Sequence, residues 1–208
     1  DTEMQTRLYV ERLLANLSGV DVKRIKNGNY SEEEAQKIKE SIEWIKKQKF
    51  KHIYKPEISD DELYITCKLW INKISVRFLE YDYLKSNESE TSTNYNVLGA
   101  KCDFLKNKIA GELNLAVLAA CQLNRQGEVA DSIKINRYLS VGIKYGHKTQ
   151  EQIIHDGDEC GNVYAKIYVN RLGAQMMEDN EDEYIDLYFD GETMNITEVK
   201  QHNRDNTF

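Results

Sequence analysis

The chain has 208 residues, 40% of them hydrophobic, which predicts one domain with a sizeable core. Its formal net charge of −7 excludes a general basic coat for nucleic acid, so any DNA contact has to come from local loops or from an assembly. Four scattered cysteines without a C-x-x-C pair, and no apolar run of about 18 residues, exclude a disulfide-framed secreted domain and a transmembrane helix.

The first third of the chain is predicted to be mainly helical. Three segments carry apolar residues at helical spacing or begin with a capping box, and these are Met4–Leu17, Ser31–Lys49 and Ser59–Trp70. Lys51–Lys55 is predicted as a short strand that ends before Pro56. Because the sequence starts at Asp and not at Met, we expect it to begin inside a longer protein.

The remaining chain alternates strands, helices and polar loops. Strands are predicted at Ile74–Leu84, Leu115–Cys121 (an apolar run typical of a buried parallel strand), Leu139–Tyr145 and Val163–Val169. A helix is predicted at Val97–Leu113 and a short one at Gln150–His155, with polar loops at Ser86–Asn96 and Asn124–Asn136. Tyr184–Phe189 and Thr193–Ile196 form a predicted hairpin around Asp190-Gly191, followed by a frayed tail at 198–208. The pattern predicts one α/β domain over residues 1–208, with a parallel sheet at its centre and an antiparallel edge.

Two polar side chains stand where predicted parallel strands end. Asp82 lies at the carboxyl end of the strand Ile74–Leu84, where ligands bind in parallel sheets, and its carboxylate suits the Mg²⁺ of a nucleotide. Gln122 directly follows the strand Leu115–Cys121, so its amide can contact a γ-phosphate. Each residue is equally explained as an ordinary polar group at a strand end, and that alternative stays open.

Two further residues are candidates for phosphate chemistry. Arg171 stands at the end of the strand Val163–Val169, and its guanidinium can reach the phosphates bound by a neighbouring subunit or pair with nearby acids. Glu3 can orient and deprotonate an attacking water, although a glutamate in a first helical turn is also a good partner of the helix dipole.

Other chemistries lack their sequence patterns. The four histidines are far apart, with no H-E-x-x-H or Cys/His spacing of a zinc site, and no G-x-S-x-G is present. No G-x-x-x-x-G-K-[ST] phosphate loop occurs in the 208 residues either.

The order of these segments resembles the motor domain of DnaB-like replicative helicases, a branch of the RecA-like ATPases. The resemblance is carried by five motifs that cover nearly the whole chain: Asp1-Thr-Glu-Met4, Val20-Asp-Val-Lys-Arg-Ile-Lys-Asn-Gly28, Tyr81-Asp-Tyr-Leu84, Cys121-Gln-Leu-Asn-Arg125 and Asn170-Arg-Leu-Gly173. Phe189-Asp-Gly-Glu192 is similar to a turn near the family's C-terminus. The resemblance implies a RecA-like P-loop fold that is cut after the Walker A loop, without its first strand.

The same resemblance assigns roles to single residues. It implies that Glu3 is the catalytic base, Asp82 the Walker B acid that holds Mg²⁺, Gln122 the phosphate sensor and Arg171 an arginine finger. It implies ATP and Mg²⁺ as ligands, a hexameric ring on single-stranded DNA, and primase and a helicase loader as partners in the cytoplasm of a bacterial cell. The loops Ser86–Asn96 and Gln126–Asn136 would line the channel, with Arg125 and Lys134 on the DNA phosphates.

The chain departs from the family pattern at several positions. Val169 and Leu172 replace a lysine and an asparagine around Arg171, and Gly127–Asn136 lacks the usual R-E-S-G pattern. Such drift is typical of a bacteriophage or mobile-element helicase. Two alternatives stay open, namely a non-catalytic oligomerisation or DNA-binding module of the same fold, and a RecA-like recombinase or repair ATPase.

Overall fold

The computed structural model describes residues 1–85, 94–122, 135–177, 180 and 183–202, with residues 94–97 described through their backbone alone. Contacts divide the chain into two compact units. The first consists of residues 1–9 and 44–139, and the second of residues 10–43 and 140–208. None of the described helices has the length and apolar character needed to cross a membrane.

Four helices occupy the N-terminal third: α1 (Thr6–Ser18), α2 (Val22–Asn27), α3 (Glu32–Lys47) and α4 (Asp60–Ile74). The predicted capping boxes are confirmed. At the start of α4 the side chains of Ser59 and Glu62 each accept a hydrogen bond from the other residue's backbone N–H, and Ser31 and Glu34 do the same before α3. Helix α2 is not among the predicted helices. It is capped by the Asp21 carboxylate and ends at Gly28, whose φ of 66° is left-handed.

The first unit contains a parallel pair of strands, β1 (Phe78–Leu84) and β2 (Ala116–Cys121). Helix α5 (Asn94–Phe104), continued by a π-helical segment at Leu105–Glu112, connects them and replaces the single α-helix predicted at Val97–Leu113. In the register, Phe78 lies opposite Ala116 and Leu84 opposite Cys121. The two strands therefore end at the same edge of the sheet.

The core of the first unit lies between α4, β1, β2 and the α5 connection. Its buried residues are Leu63, Cys67, Tyr81, Leu84, Leu98, Cys102, Leu105, Ile109, Leu115 and Ile135. Ile109 is fully buried. The apolar positions that predicted the helices and strands of this unit are the positions that lie in its core.

Three local predictions for this unit were wrong. Lys51–Lys55 is not a regular strand, although the backbone of Asp1 bonds to Ile53 and Lys55. The strand predicted from Ile74 begins at Phe78, because α4 continues to Ile74 and ends at Ser75 in a left-handed conformation. Strand β2 is not buried on both faces, since Leu118 is 55% exposed. Within the described residues β2 pairs only with β1, so its other edge has no partner strand there.

The second unit contains an antiparallel sheet in the order β3 (Val141–His147), β4 (Val163–Asn170), β5 (Ile185–Asp190) and β6 (Asn195–Glu198). Helix α6 (Gln150–Asp156) and a 3₁₀ turn at Asp158–Cys160 connect β3 to β4. The predicted hairpin at Asp190-Gly191 is confirmed, so the α/β prediction with a parallel pair and an antiparallel C-terminal edge holds.

The segment after β6 is held by β5. The Gln201 amide bonds to both backbone groups of Asp186, and the backbone N–H and ring Nδ1 of His202 lie 2.7 and 2.6 Å from the Asp186 carboxylate. Residues 203–208, the rest of the predicted frayed tail, lie outside the described residues.

Candidate functional site

Asp82 lies near the end of the pairing between β1 and β2, at the carboxyl edge of the parallel pair. Its side chain is half-buried, and among the described residues no hydrogen bond or ion pair to its carboxylate is found. Its backbone carbonyl accepts a 2.6 Å hydrogen bond from the Thr2 N–H. This bond brings the predicted catalytic-base segment to the predicted Mg²⁺ acid.

Glu3 follows Thr2 and exposes its side chain to solvent. The Asp1 carboxylate accepts hydrogen bonds from the backbone N–H groups of Glu3 (2.8 Å) and Met4 (2.6 Å), which orders the chain ahead of α1. The other oxygen of this carboxylate lies 3.4 Å from Nε2 of His52. Burial lowers the pKa of His52.

Gln122 is exposed and follows β2 at the same edge of the sheet. Its neighbour Cys121 lies opposite Leu84, two residues after Asp82. Asp82 and Gln122 therefore lie at the carboxyl edge of one parallel pair, as their positions in the sequence predict. The Thr2–Asp82 bond brings the Glu3 segment to the same edge.

The residues at this edge fit a hydrated magnesium ion. A carboxylate without a described protein partner is the oxygen ligand that Mg²⁺ accepts while it keeps most of its water. Asp82 would hold the ion, which would neutralise phosphate charge. The triphosphate itself lacks its usual cradle in these 208 residues, because they contain no phosphate loop.

Arg171 belongs to the second unit and is exposed just after β4. Its backbone N–H donates to the Ser140 carbonyl at 2.9 Å. The loop after β4 is shaped by Asn170, whose side chain donates to the Ala174 carbonyl and accepts from the Leu172 N–H. The loop thus presents Arg171 at the surface of its own unit.

The predicted DNA contacts cannot be placed in the structure. Arg125 and Lys134 lie outside the described residues, as do most of the predicted channel loops at Ser86–Asn96 and Gln126–Asn136.

The family model of the DnaB-like helicase C-terminal domain matches residues 1–134. The chain belongs to this family. DnaB-like C-terminal domains are the ATPase motor part of replicative helicases, so the predicted family and motor class are confirmed. A sequence search of curated proteins gives no match.

Two solved structures support the RecA-like fold of this DnaB-like domain. One is a DnaB-like replicative helicase described with its interactions with primase, at 18% identity and a TM-score of 0.77. The other is a separately solved ATPase domain, at 17% identity and a TM-score of 0.77. Each match covers 96% of this chain, and the chain spans 49% of the first structure and 73% of the second.

A buried ionic cluster in the second unit is not predicted by the sequence patterns. The Lys148 ammonium, with a fully buried side chain, lies 2.7 Å from Asp156 Oδ2, 2.5 Å from Asp186 Oδ1 and 2.9 Å from the Cys160 carbonyl. Asp156, Asp186 and His202 offer ligand atoms within 4.8 Å of one another, as in a metal site. The ammonium already supplies the positive charge there, so these groups form a structural ion cluster.

The pKa shifts in this cluster follow from its geometry. Burial by itself raises the pKa of Asp156, but hydrogen bonds from Lys148, Tyr184 and His155 outweigh it and lower the pKa to about 2. Burial by itself lowers the pKa of Lys148, and the bonds to the two carboxylates outweigh it, so this pKa is raised. No motif predicts this cluster, because Lys148 and Asp186 are 38 residues apart.

A cavity of about 330 Å³ lies along β1 in the first unit. Its wall combines aromatic side chains such as Trp70 with charged ones such as Arg77 and Asp82. Glu3 and Gln122 do not line it.

Proposed function

We propose that this chain is part of the ATP-driven motor of a 5′→3′ replicative DNA helicase, which works as a hexameric ring on single-stranded DNA. The proposal is supported most directly by the Thr2–Asp82 backbone bond of 2.6 Å. This contact supports the proposal because it joins the chain that leads to Glu3 to Asp82, the proposed Walker B acid, at the edge where Gln122 also lies. Membership of the DnaB-like family supports the assignment to a helicase motor.

Each candidate residue has a role in this mechanism. Glu3 takes a proton from the water that attacks the γ-phosphorus, and Asp82 holds the hydrated Mg²⁺. Gln122 senses the γ-phosphate, and Arg171 acts in trans on the nucleotide of a neighbouring subunit. Arg125 and Lys134 contact DNA phosphates, which makes DNA binding sensitive to salt.

The cellular setting is part of the proposal. One solved relative is described with its interactions with primase, which supports primase as a partner of the whole protein, alongside a helicase loader. We assign the protein to the cytoplasm of a bacterial host, and to a bacteriophage or mobile element because of its sequence departures at Val169 and Leu172.

ATP hydrolysis by purified proteins tests the proposal. We expect DNA-stimulated turnover by the whole protein and none by these 208 residues alone, because they contain no phosphate loop. In the whole protein, Arg171→Ala should lower kcat about 1000-fold while rings still assemble. Arg24→Ala is the matched control, since the Arg24 side chain, among the residues that the structure describes, pairs with Glu34 at the surface and donates to the Asn29 carbonyl.

The second candidate is a non-catalytic oligomerisation or DNA-binding module of the same fold, and it predicts that the whole protein has no phosphate loop. In that case the whole protein would show no ATP turnover, and Arg171→Ala would leave its cellular function intact. DNA-stimulated hydrolysis by the isolated 208 residues would contradict the proposed motor mechanism.

A further inference from the structure

The chain around Glu3 is tied to the end of β1 by a buried threonine. Thr2 is only 4% exposed, and its N–H donates to the Asp82 carbonyl. The Thr2 hydroxyl accepts from the Tyr83 N–H at 3.3 Å and lies 3.4 Å from the Tyr83 carbonyl. Thr2 therefore fixes the spacing between the Glu3 segment and β1, but it does not set the direction of the next peptide.

The peptide group that joins Thr2 to Glu3 is held at both of its polar ends. The Lys85 ammonium donates to the Thr2 carbonyl at 2.8 Å, and the Asp1 carboxylate accepts from the Glu3 N–H at 2.8 Å. Because a peptide unit is planar, two opposed bonds fix the orientation of the whole plane. That plane sets the direction in which the Glu3 side chain leaves the backbone.

Lys85 is well placed to hold this plane. It follows β1 directly, and its ammonium also lies 5.7 Å from the centre of the Tyr83 ring, which restricts the side chain. A hydrogen bond from an ammonium to a carbonyl is stronger than one between neutral groups. Lys85 is itself exposed, so its replacement leaves the core of the first unit intact.

We propose that Lys85 is a positioning residue for Glu3, because its bond to the Thr2 carbonyl aims the Glu3 carboxylate at the edge where Asp82 lies. The inference rests on the proposed function, in which Glu3 is the base. Lys85 takes no proton and contacts no phosphate in this role. A base must lie within hydrogen-bond reach of the water that it deprotonates, and a small misplacement lowers the rate strongly.

Steady-state ATP hydrolysis by the whole protein separates positioning from binding. Lys85→Met should lower kcat about 10-fold and leave KM for ATP within about 2-fold, whereas Lys85→Arg should restore most of kcat. Lys108→Met is the control, because within the described part of the chain the Lys108 ammonium pairs at the surface with Glu112, and its loss should leave kcat unchanged.

A double variant shows whether Lys85 acts through Glu3. Glu3→Gln should lower kcat at least about 100-fold, and adding Lys85→Met to it should cause no further loss. In the 208-residue chain, NMR relaxation should show that the Glu3 amide becomes more mobile in Lys85→Met but not in Lys108→Met.

The outcomes separate the two proposals. If Glu3→Gln keeps full activity, the assignment of the base fails, and the role of Lys85 fails with it. If Glu3→Gln is inactive while Lys85→Met has normal kcat, only the positioning role is refuted. A raised KM with unchanged kcat would also overturn it, because Lys85 would then bind the nucleotide.

Discussion

Replacing Lys148 with methionine tests the buried ionic cluster of the second unit. Methionine keeps most of the apolar stem but removes the ammonium that bonds to Asp156, Asp186 and the Cys160 carbonyl. Both carboxylates then lose their cation in a place that water does not reach, since the side chains of Asp156 and Asp186 are 1% and 0% exposed.

The expected loss of stability is large. Removing one partner of a buried ion pair costs about 3–5 kcal/mol, mostly because the remaining charge is left without compensation. The surface provides a matched control in Lys200, which pairs with Glu159 at 2.9 Å while both side chains remain more than half exposed. Lys200→Met should leave the free energy of unfolding unchanged within error, because solvent screens that pair.

The destabilisation should also depend on pH. In the native protein the pKa of Asp156 is lowered to about 2, below its ordinary value of 3.8, so its contribution is present above pH 4. That contribution amounts to about 2 kcal/mol and is lost as the pH falls from 4 toward 2. In Lys148→Met the hydrogen bonds from Tyr184 and His155 remain, but the ammonium is lost and burial counts for more. The pKa of Asp156 therefore rises from its native value, and protonation reduces the loss of stability as the pH falls from 7 toward 4.5.

Urea unfolding followed by circular dichroism at pH 7 and pH 4.5 measures both effects. We expect Lys148→Met to lose about 3 kcal/mol or more at pH 7, and distinctly less than that at pH 4.5. A loss below about 1 kcal/mol at pH 7, or an equal loss at both pH values, would refute the reasoning.

Two further predictions concern the backbone and the thiols. Gly161→Ala should lower the unfolding temperature by several degrees, because φ is 75° and a Cβ would lie 2.2 Å from the Leu187 carbonyl oxygen. Gly191→Ala should leave the unfolding temperature unchanged, because its Cβ would lie no closer than 3.7 Å to another atom. Equal shifts of the unfolding temperature in the two variants would contradict the steric argument. Burial raises the pKa of the Cys67 and Cys102 thiols to about 11, so iodoacetamide at pH 8 should alkylate them at least about 100-fold more slowly than a free cysteine. Peptide mass spectrometry measures these rates, and labelling of the folded protein as fast as of the unfolded protein would contradict the prediction.

The sequence by itself determined the elements and the edge of the candidate site. Capping boxes at Ser31 and Ser59 locate two helix starts, because a cap depends on residues only three positions apart. Asp82 and Gln122 follow apolar strand patterns, and parallel pairing brings such strand ends to one edge. The family could also be recognised from the sequence, because its motifs are short and contiguous.

Predictions from local sequence pattern were wrong where an apolar run is compatible with more than one structure. The segment from Ile74 suits either a helix end or a strand start, and the left-handed Ser75 decides in favour of the helix end. The apolar run of β2 predicts burial on both faces, but burial depends on which elements cover each face, and Leu118 remains 55% exposed.

Only the tertiary structure decided which polar groups become partners. Lys85 reaches the Thr2 carbonyl across 83 positions, and Lys148 reaches Asp186 across 38. Neither pair has a sequence signature, because a charged side chain is stable inside a protein only where distant chain segments supply its partners. The sequence thus determined most of the elements, the family and the strand-end residues, while long-range packing decided what holds Glu3 and what stabilises the second unit.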